Sequence, residues 1–194
     1  MCSDMDRWEE KYRQAEPDSV GDADATLRSL ARWFDGAGQA LDLACGAGAN
    51  LQWLHRQGYR VTGMDRSLEA LKLACRQPDG RQFRLIAADL ETTELPHQCY
   101  AAIIVVHYLD RTLFPAIVRA LKPGGRLFYK TFNKNLLQQR PGFNPDFVLE
   151  IGELQRSFGE LKPRVIAEPD TGNPVNSWVV MEQPETPAAG KDHA

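Results

Sequence analysis

The chain has no apolar run approaching the roughly 18 residues that a membrane-spanning helix requires. Its most hydrophobic stretch, Ala101–Val106, is only strand-sized. The N-terminal MCSDMDRWEE is polar and acidic and lacks the apolar core of a secretory leader. Cysteine is scarce. Cys2, Cys45, Cys75 and Cys99 form no CxxC pair and have no companion histidine cluster. Neither a zinc site nor a disulfide framework is expected, no metal is assigned, and a reducing cytoplasm suits the thiols. Positive charge is not in excess: Lys plus Arg total 23 against 26 Asp plus Glu, a net charge of −3. Such a chain has no general attraction to nucleic acid or anionic lipid, so neither is expected as a partner. No G-x-x-x-x-G-K-[ST] loop is present, which removes a P-loop nucleotide site.

What is present is an ordinary globular mix of 43% apolar and 25% charged residues over 194 positions, suited to one α/β domain. We place that domain at 1–182, with N-terminal helices or a lid over 1–35 and a disordered tail at 183–194. A helix is expected over 3–15, capped by Ser3 and ended by Pro17, with Trp8 and Tyr12 on one face. A second helix is expected over 22–35, with Leu27, Leu30, Ala31 and Phe34 at helical spacing. Strands then alternate with helices. Strands are read at 40–44, 59–64, 83–88, 100–106 and 126–131, and helices at 49–57, 67–76 and 112–121. A parallel sheet covered by helices follows from that alternation. The segment 133–146 is polar and turn-rich, before a short helix at 150–158 and strands near 164–168 and 177–182.

Three acids stand at the carboxyl ends of the first three strands, where open α/β sheets bind ligands. Asp42 precedes the glycine loop Ala44-Cys45-Gly46-Ala47-Gly48. A dinucleotide fingerprint would have a third glycine where Leu51 stands. A carboxylate this close repels a pyrophosphate but favours an ammonium group. Asp65 ends the second strand 23 positions later, placed to accept hydrogen bonds from ribose hydroxyls. It also reads as an acid at the start of the helix capped by Ser67. Asp89, after Ala88 and before Leu90, ends the third strand, either as an acceptor for an amino group or as a solvated loop acid. Cys45 reads as a small packing residue rather than a nucleophile.

Taken in order, these segments resemble class I S-adenosylmethionine-dependent methyltransferases. The likeness is carried by DLACGAGAN, Met64-Asp65, Ala88-Asp89-Leu90, Tyr100–Val106 and Leu121-Lys122-Pro123-Gly124-Gly125-Arg126-Leu127, spanning about 25–182. Trp8-Glu9-Glu10-Lys11-Tyr12 is similar to the cofactor-covering helix of a bacterial subgroup related to tellurite-resistance methyltransferases. The stretch Arg140-Pro141-Gly142-Phe143-Asn144 departs from tellurite enzymes themselves. The resemblance implies a Rossmann-like, doubly wound, mostly parallel seven-stranded sheet with helices on both faces. It implies S-adenosylmethionine as methyl donor, S-adenosylhomocysteine as product, and a small-molecule acceptor attacked by direct displacement. The implied cofactor set is Asp42, Ala44, Cys45, Gly46, Gly48, Met64, Asp65, Arg66, Ala88, Asp89, Leu90 and Val106.

His107 and Tyr108, after the fourth strand, are candidate catalytic residues. His107 would be a base near neutral pH or a packed histidine. Arg111, Lys130, Asn133 and Arg140, with Trp8 and Tyr12 as a lid, are candidates for an acceptor pocket suited to an acid or oxyanion. Val-His-Tyr-Leu stands where amino-group methyltransferases of bases or glutamine carry an NPPY-type tetrapeptide. The alternatives are a non-catalytic cofactor-binding scaffold and a nicotinamide-dependent oxidoreductase. The acceptor atom stays open, as does the choice between monomer and homodimer.

Overall fold

The structure is a computed structural model that describes residues 4–16 and 20–185. Ser3, Pro17 and most of the expected tail lie outside the described residues. One seven-stranded sheet runs in the order β3-β2-β1-β4-β5-β7-β6. Its strands are β1 (Gln39–Leu43), β2 (Arg60–Asp65), β3 (Arg84–Ala87), β4 (Tyr100–Val106), β5 (Leu121–Phe132), β6 (Lys162–Ala167) and β7 (Asn176–Glu182). The first five pair in parallel, whereas β7 runs antiparallel to both β5 and β6. The order reverses between β1 and β4, which opens the crevice of a doubly wound sheet there.

Helices cover both faces. On one side lie α2 (Ala25–Ser29), α3 (Ala49–Arg56) and α4 (Leu68–Arg76), whose Leu27, Leu51, Leu54 and Leu71 pack with Ala40, Ala102 and Ile104 of the sheet. On the other lie α5 (Phe114–Ala120) and α7 (Glu153–Ser157), whose Phe114, Ile117 and Leu154 pack with Leu41, Leu43, Ile103 and Val105. From Ala102 to Val106 consecutive β4 residues feed opposite clusters, which explains why this run is continuously apolar rather than alternating. A small third cluster joins Leu136 of α6 (Leu136–Gln139) to Val148 and Val175. Among the described residues no helix is long and apolar enough to cross a membrane.

Three elements differ from expectation. The helix expected over 22–35 is broken: α2 ends at Ser29, Leu30 (φ −100°) is its C-cap, and Ala31–Trp33 forms a 3₁₀ turn. The tighter winding turns the Trp33 carbonyl to accept from Arg126 Nη1 at 2.6 Å while Phe34 enters the core. β5 begins at Leu121, not Arg126. The turn carrying Gly124 (φ +73°) bulges out, and the register shifts between Tyr100 and Ala102 of the partner strand. The segment 133–146 contains α6, because Leu136 finds an apolar site beneath the loop.

Candidate functional site

The crevice at the strand reversal is built by the carboxyl ends of β1, β2 and β4. Leu43 pairs with Val105, so Ala44 and Val106 sit side by side and His107 is one residue beyond. Ala44 (φ 56°) and His107 (φ 57°) are both non-glycine residues in left-handed backbone. Such strain costs on the order of 1–3 kcal/mol and concentrates at functional sites. Ala44→Gly should therefore raise stability by up to about 1 kcal/mol. A thermal melt checks this, and an unchanged or lowered midpoint would show that Ala44 is not strained.

The glycine loop is held from below. Gly46 N–H donates to Asp65 Oδ2 at 2.8 Å, Ser67 N–H donates to Asp65 Oδ1 at 2.9 Å, and Cys45 N–H donates to the Met64 carbonyl at 3.0 Å. Asp65 thus ties the loop to the start of α4, at the helix-start position read from the sequence. Gly48 (φ +87°) stands where a Cβ would lie 2.9 Å from Ala74 Cβ. A Cβ on Gly63, in the middle of β2, would lie 2.5 Å from Leu51 and 2.8 Å from Cys45 Sγ. Gly63 was not singled out from sequence, although a glycine inside a strand is the signal of close backbone approach.

Asp42 is almost fully buried, and its Oδ2 has no hydrogen-bond partner. Burial, with the Asp65 carboxylate nearby, pushes the Asp42 carboxyl well above the usual range. Burial also raises Asp65, opposed by the N–H groups of Ser67 and Gly46. The Cys45 thiol is pushed up by burial and by both acids, so it is an inert packing group, as expected. Among the described residues no cluster of His, Cys, Asp or Glu is placed to hold a metal.

Helix α1 (Asp4–Arg13) lies over this loop. Glu9 accepts from Ser67 Oγ at 2.7 Å and from Leu68 and Glu69 N–H at 3.1 Å, completing the cap of α4. These donors, Ser67 foremost, hold Glu9 below its usual range. Tyr12 stacks with Trp8 at 6.1 Å, and its hydroxyl would lie 2.6 Å from a Cβ on Gly46. Burial, then Asp65, Cys45 and Asp42, raise that phenol to about 12. Tyr12 therefore borders the glycine loop rather than an anionic acceptor pocket. Glu9 was not recognised as the anchor.

The other cofactor candidates divide. Met64 and Leu90 are buried in the core cluster beneath the crevice, and Val106 packs on the opposite face. Ala88 N–H donates to the Asp65 carbonyl at 3.0 Å, bringing the ends of β2 and β3 together. Asp89 is exposed, and its Oδ1 accepts from Glu91 N–H at 3.1 Å. Arg66 is exposed beside Asp65.

The four polar acceptor candidates do not converge. Arg111 pairs with Glu153 through Nε at 2.6 Å and donates to the Asp146 and Val148 carbonyls. Lys130 Nζ donates to Asp24 Oδ2 at 2.8 Å and Thr26 Oγ1 at 2.9 Å. Asn133 Nδ2 donates to the Pro174 carbonyl and to Ser177, both at 3.1 Å. All three groups fasten loops: Lys130 and Asn133 are buried, so their polar atoms find partners within the chain, while Arg111 is exposed and reaches across to Glu153. The Arg140 side chain is exposed on the insertion. Instead, aromatic rings gather at the end of β4 and β5. His107 stacks on Phe132 at 5.0 Å and 26°, and Phe143 meets Phe132 edge-on at 5.9 Å. Burial lowers the His107 pKa, aided by Lys130 and opposed by Asp24. Tyr108 is half-buried, its carbonyl accepting from Tyr129 Oη at 3.0 Å, and burial raises its phenol.

Comparison with known proteins gives consistent similarities. Residues 40–125 match the model of a methyltransferase domain. The ubiquinone biosynthesis O-methyltransferase of Idiomarina loihiensis is 32% identical over 108 residues, 50% of this chain and 44% of the relative. The ubiquinone biosynthesis O-methyltransferase of Yersinia pestis is 31% identical over 105 residues, 50% of this chain and 43% of the relative. The chain thus spans under half the length of these curated relatives. Among solved structures, an S-adenosylmethionine-dependent methyltransferase from Mesorhizobium loti aligns with a TM-score of 0.65 at 18% identity, covering 87% of this chain and all of that one. Geranyl diphosphate C-methyltransferase from Streptomyces coelicolor, solved with S-adenosyl-L-homocysteine, aligns at 0.63 and 20% identity, covering 84% and 77%. The fold is therefore that of the class I methyltransferases.

Proposed function

We propose that this chain, which carries a class I methyltransferase domain, binds S-adenosylmethionine and transfers its methyl group to a small molecule. The observation that carries the reading is the unpartnered, buried Asp42 carboxyl beside a glycine loop that Asp65 holds open. Such an acid suits a ligand with an ammonium group and no phosphate, and repels a nicotinamide dinucleotide. Asp65 accepts from ribose hydroxyls on lone pairs left by Gly46 and Ser67. Ala88, Asp89 and Leu90 border the adenine, with Leu90 as its apolar floor. Gly46 and Gly48 let the backbone approach the ligand, and Tyr12 covers it. When bound, the sulfonium supplies a methyl group already activated for displacement. The chain's residues then need only align the acceptor and exclude water. The whole of 1–182 acts as one domain, in the cytoplasm. The net charge of −3 favours a small acceptor over nucleic acid.

Calorimetric titration with S-adenosylhomocysteine tests the reading through Asp42. Burial raises the Asp42 carboxyl, and an arriving ammonium favours its ionised form. Binding should release protons, so the apparent enthalpy should vary with the ionisation heat of the buffer. Asp42→Asn should remove that variation. The sign follows for stability too. A raised folded-state pKa stabilises the unliganded protein below the unfolded value, near 4, and that contribution is lost as pH rises through the folded value. Ligand should flatten this decline. No heat with a folded protein would favour a scaffold over an enzyme.

A further inference from the structure

Away from the crevice, a cavity of about 410 Å³ lies against the outer side of α3. Small-molecule sites commonly measure roughly 300–1,000 Å³. At 3.6 residues per turn, Gln52, Trp53 and Arg56 project from the side of α3 opposite Leu51 and Leu54, which are buried against the sheet. All three line the cavity, together with Gln77 after α4, Arg28 of α2 and Asp22 before it. The wall is braced. Half-buried Trp53 meets Phe34 of the core edge-on at 6.0 Å and 74°. Gln52 Nε2 donates to Gln77 Oε1 at 2.7 Å, and Arg56 Nη2 donates to Gln52 Oε1 at 3.1 Å, so the amides order one guanidinium. The two cations are loosely neutralised. Arg28 reaches Asp22 at 3.3 Å and Arg56 reaches Asp79 at 3.8 Å, in ion pairs whose arginines are 47% and 62% exposed. Exposed pairs of this kind contribute little to stability and exchange readily for a better-placed anion.

We propose that this cavity is a second ligand site, separate from the cofactor crevice, and that it takes a planar aromatic monocarboxylate. The ring lies against the Trp53 indole, and the carboxylate accepts from the guanidinium groups of Arg28 and Arg56. A guanidinium presents its N–H groups as a planar fork that matches a carboxylate, and an indole favours a second aromatic ring stacked or edge-on. The charged groups lining the cavity are Arg28, Arg56 and Asp22, two cations against one anion. One negative charge on the ligand is thereby balanced, whereas a second would meet Asp22. Polyphosphates and dicarboxylates are disfavoured for that reason. The joined amides of Gln52 and Gln77 border the polar edge of the ligand. None of Asp42, Asp65 or the glycines of the loop takes part.

Calorimetric titration of indole-3-acetate into the full chain tests the site, with indole-3-acetamide, cyclohexanecarboxylate and ATP as controls. The aromatic acid should bind with a Kd on the order of 1 mM or tighter, a modest affinity for a site open to solvent. The amide lacks the charge and the cyclohexane acid lacks the planar ring, so each should bind about 10-fold more weakly. ATP should not displace the acid. Arg28→Met and Arg56→Met, both at exposed side chains, should each weaken indole-3-acetate binding about 5- to 10-fold. Asp22→Asn should strengthen it roughly 3-fold, because a competing carboxylate is removed. In NMR spectra the ligand should shift the Trp53 indole N–H resonance, assigned through Trp53→Phe. Saturating S-adenosylhomocysteine should leave the affinity unchanged. The proposal is overturned if no binding is detected up to about 10 mM, if the amide binds as well as the acid, or if both arginine variants bind normally. Displacement by S-adenosylhomocysteine would also overturn it, by placing the ligand in the crevice. Any of these failures leaves the methyl-transfer reading standing, because no residue of the cofactor crevice is involved.

Discussion

Asp65→Ala should weaken S-adenosylhomocysteine binding by roughly 10- to 100-fold, the loss of about 1.5–3 kcal/mol from hydrogen bonds between a carboxylate and the ribose. The same change should destabilise the protein by about 2–4 kcal/mol, because Gly46 and Ser67 lose their N–H acceptor together. The two effects have separate origins and separate readouts. Asp65→Asn keeps one amide oxygen for one of those N–H groups and presents NH₂ to the other, so it should fall between. Calorimetry gives affinity and a denaturant titration gives stability. Lost stability with unchanged affinity would reduce Asp65 to a brace for the loop. Lost affinity with intact stability would show that the loop holds its shape without it.

Much of this was legible in the sequence because one rule is strict. In a parallel sheet with alternating helices, the carboxyl ends of the strands form the crevice, so the positions of Asp42, Asp65, Asp89 and His107 were locatable once strand ends were read. The near-continuous apolar run in β4 marked the central strand for the same reason. What sequence did not show are contacts between distant segments. Lys130 and Asp24 are 106 positions apart, and nothing local says that a cation on β5 will meet the cap of α2. Arg111 likewise fastens a loop 35 to 42 positions away. Both had been candidates for anion recognition because a cation near a strand end is ambiguous until its partner is known. Glu9 was hidden differently. Its role as a second cap for α4 depends on how α1 docks, which no periodicity encodes. The left-handed backbone at Ala44 was equally silent, since alanine carries no signal of positive φ.

Lys130→Met should destabilise the protein by about 3–5 kcal/mol, the usual effect of leaving one charge of a buried pair without its partner. For a chain of this size that is a fall of roughly 6–20 °C in Tm. Both side chains are about nine-tenths buried, at 10% and 11% exposure, so solvent does little to screen the pair. Asp24 cannot simply be dispensed with, because its other oxygen caps α2 through Leu27 N–H at 3.1 Å while its own N–H donates to Asn50 Oδ1 at 3.0 Å. Pairing Lys130→Met with Asp24→Asn should recover much of the loss, since asparagine keeps the cap without the stranded charge. The pair also bears on the imidazole at the crevice. Lys130 lowers the His107 pKa and Asp24 raises it, so losing the lysine alone should move the imidazole titration, followed by NMR, to higher pH. Acceptor KM should change little. A stable Lys130→Met protein with a much higher acceptor KM would contradict this and return Lys130 to the pocket as an anion-binding group.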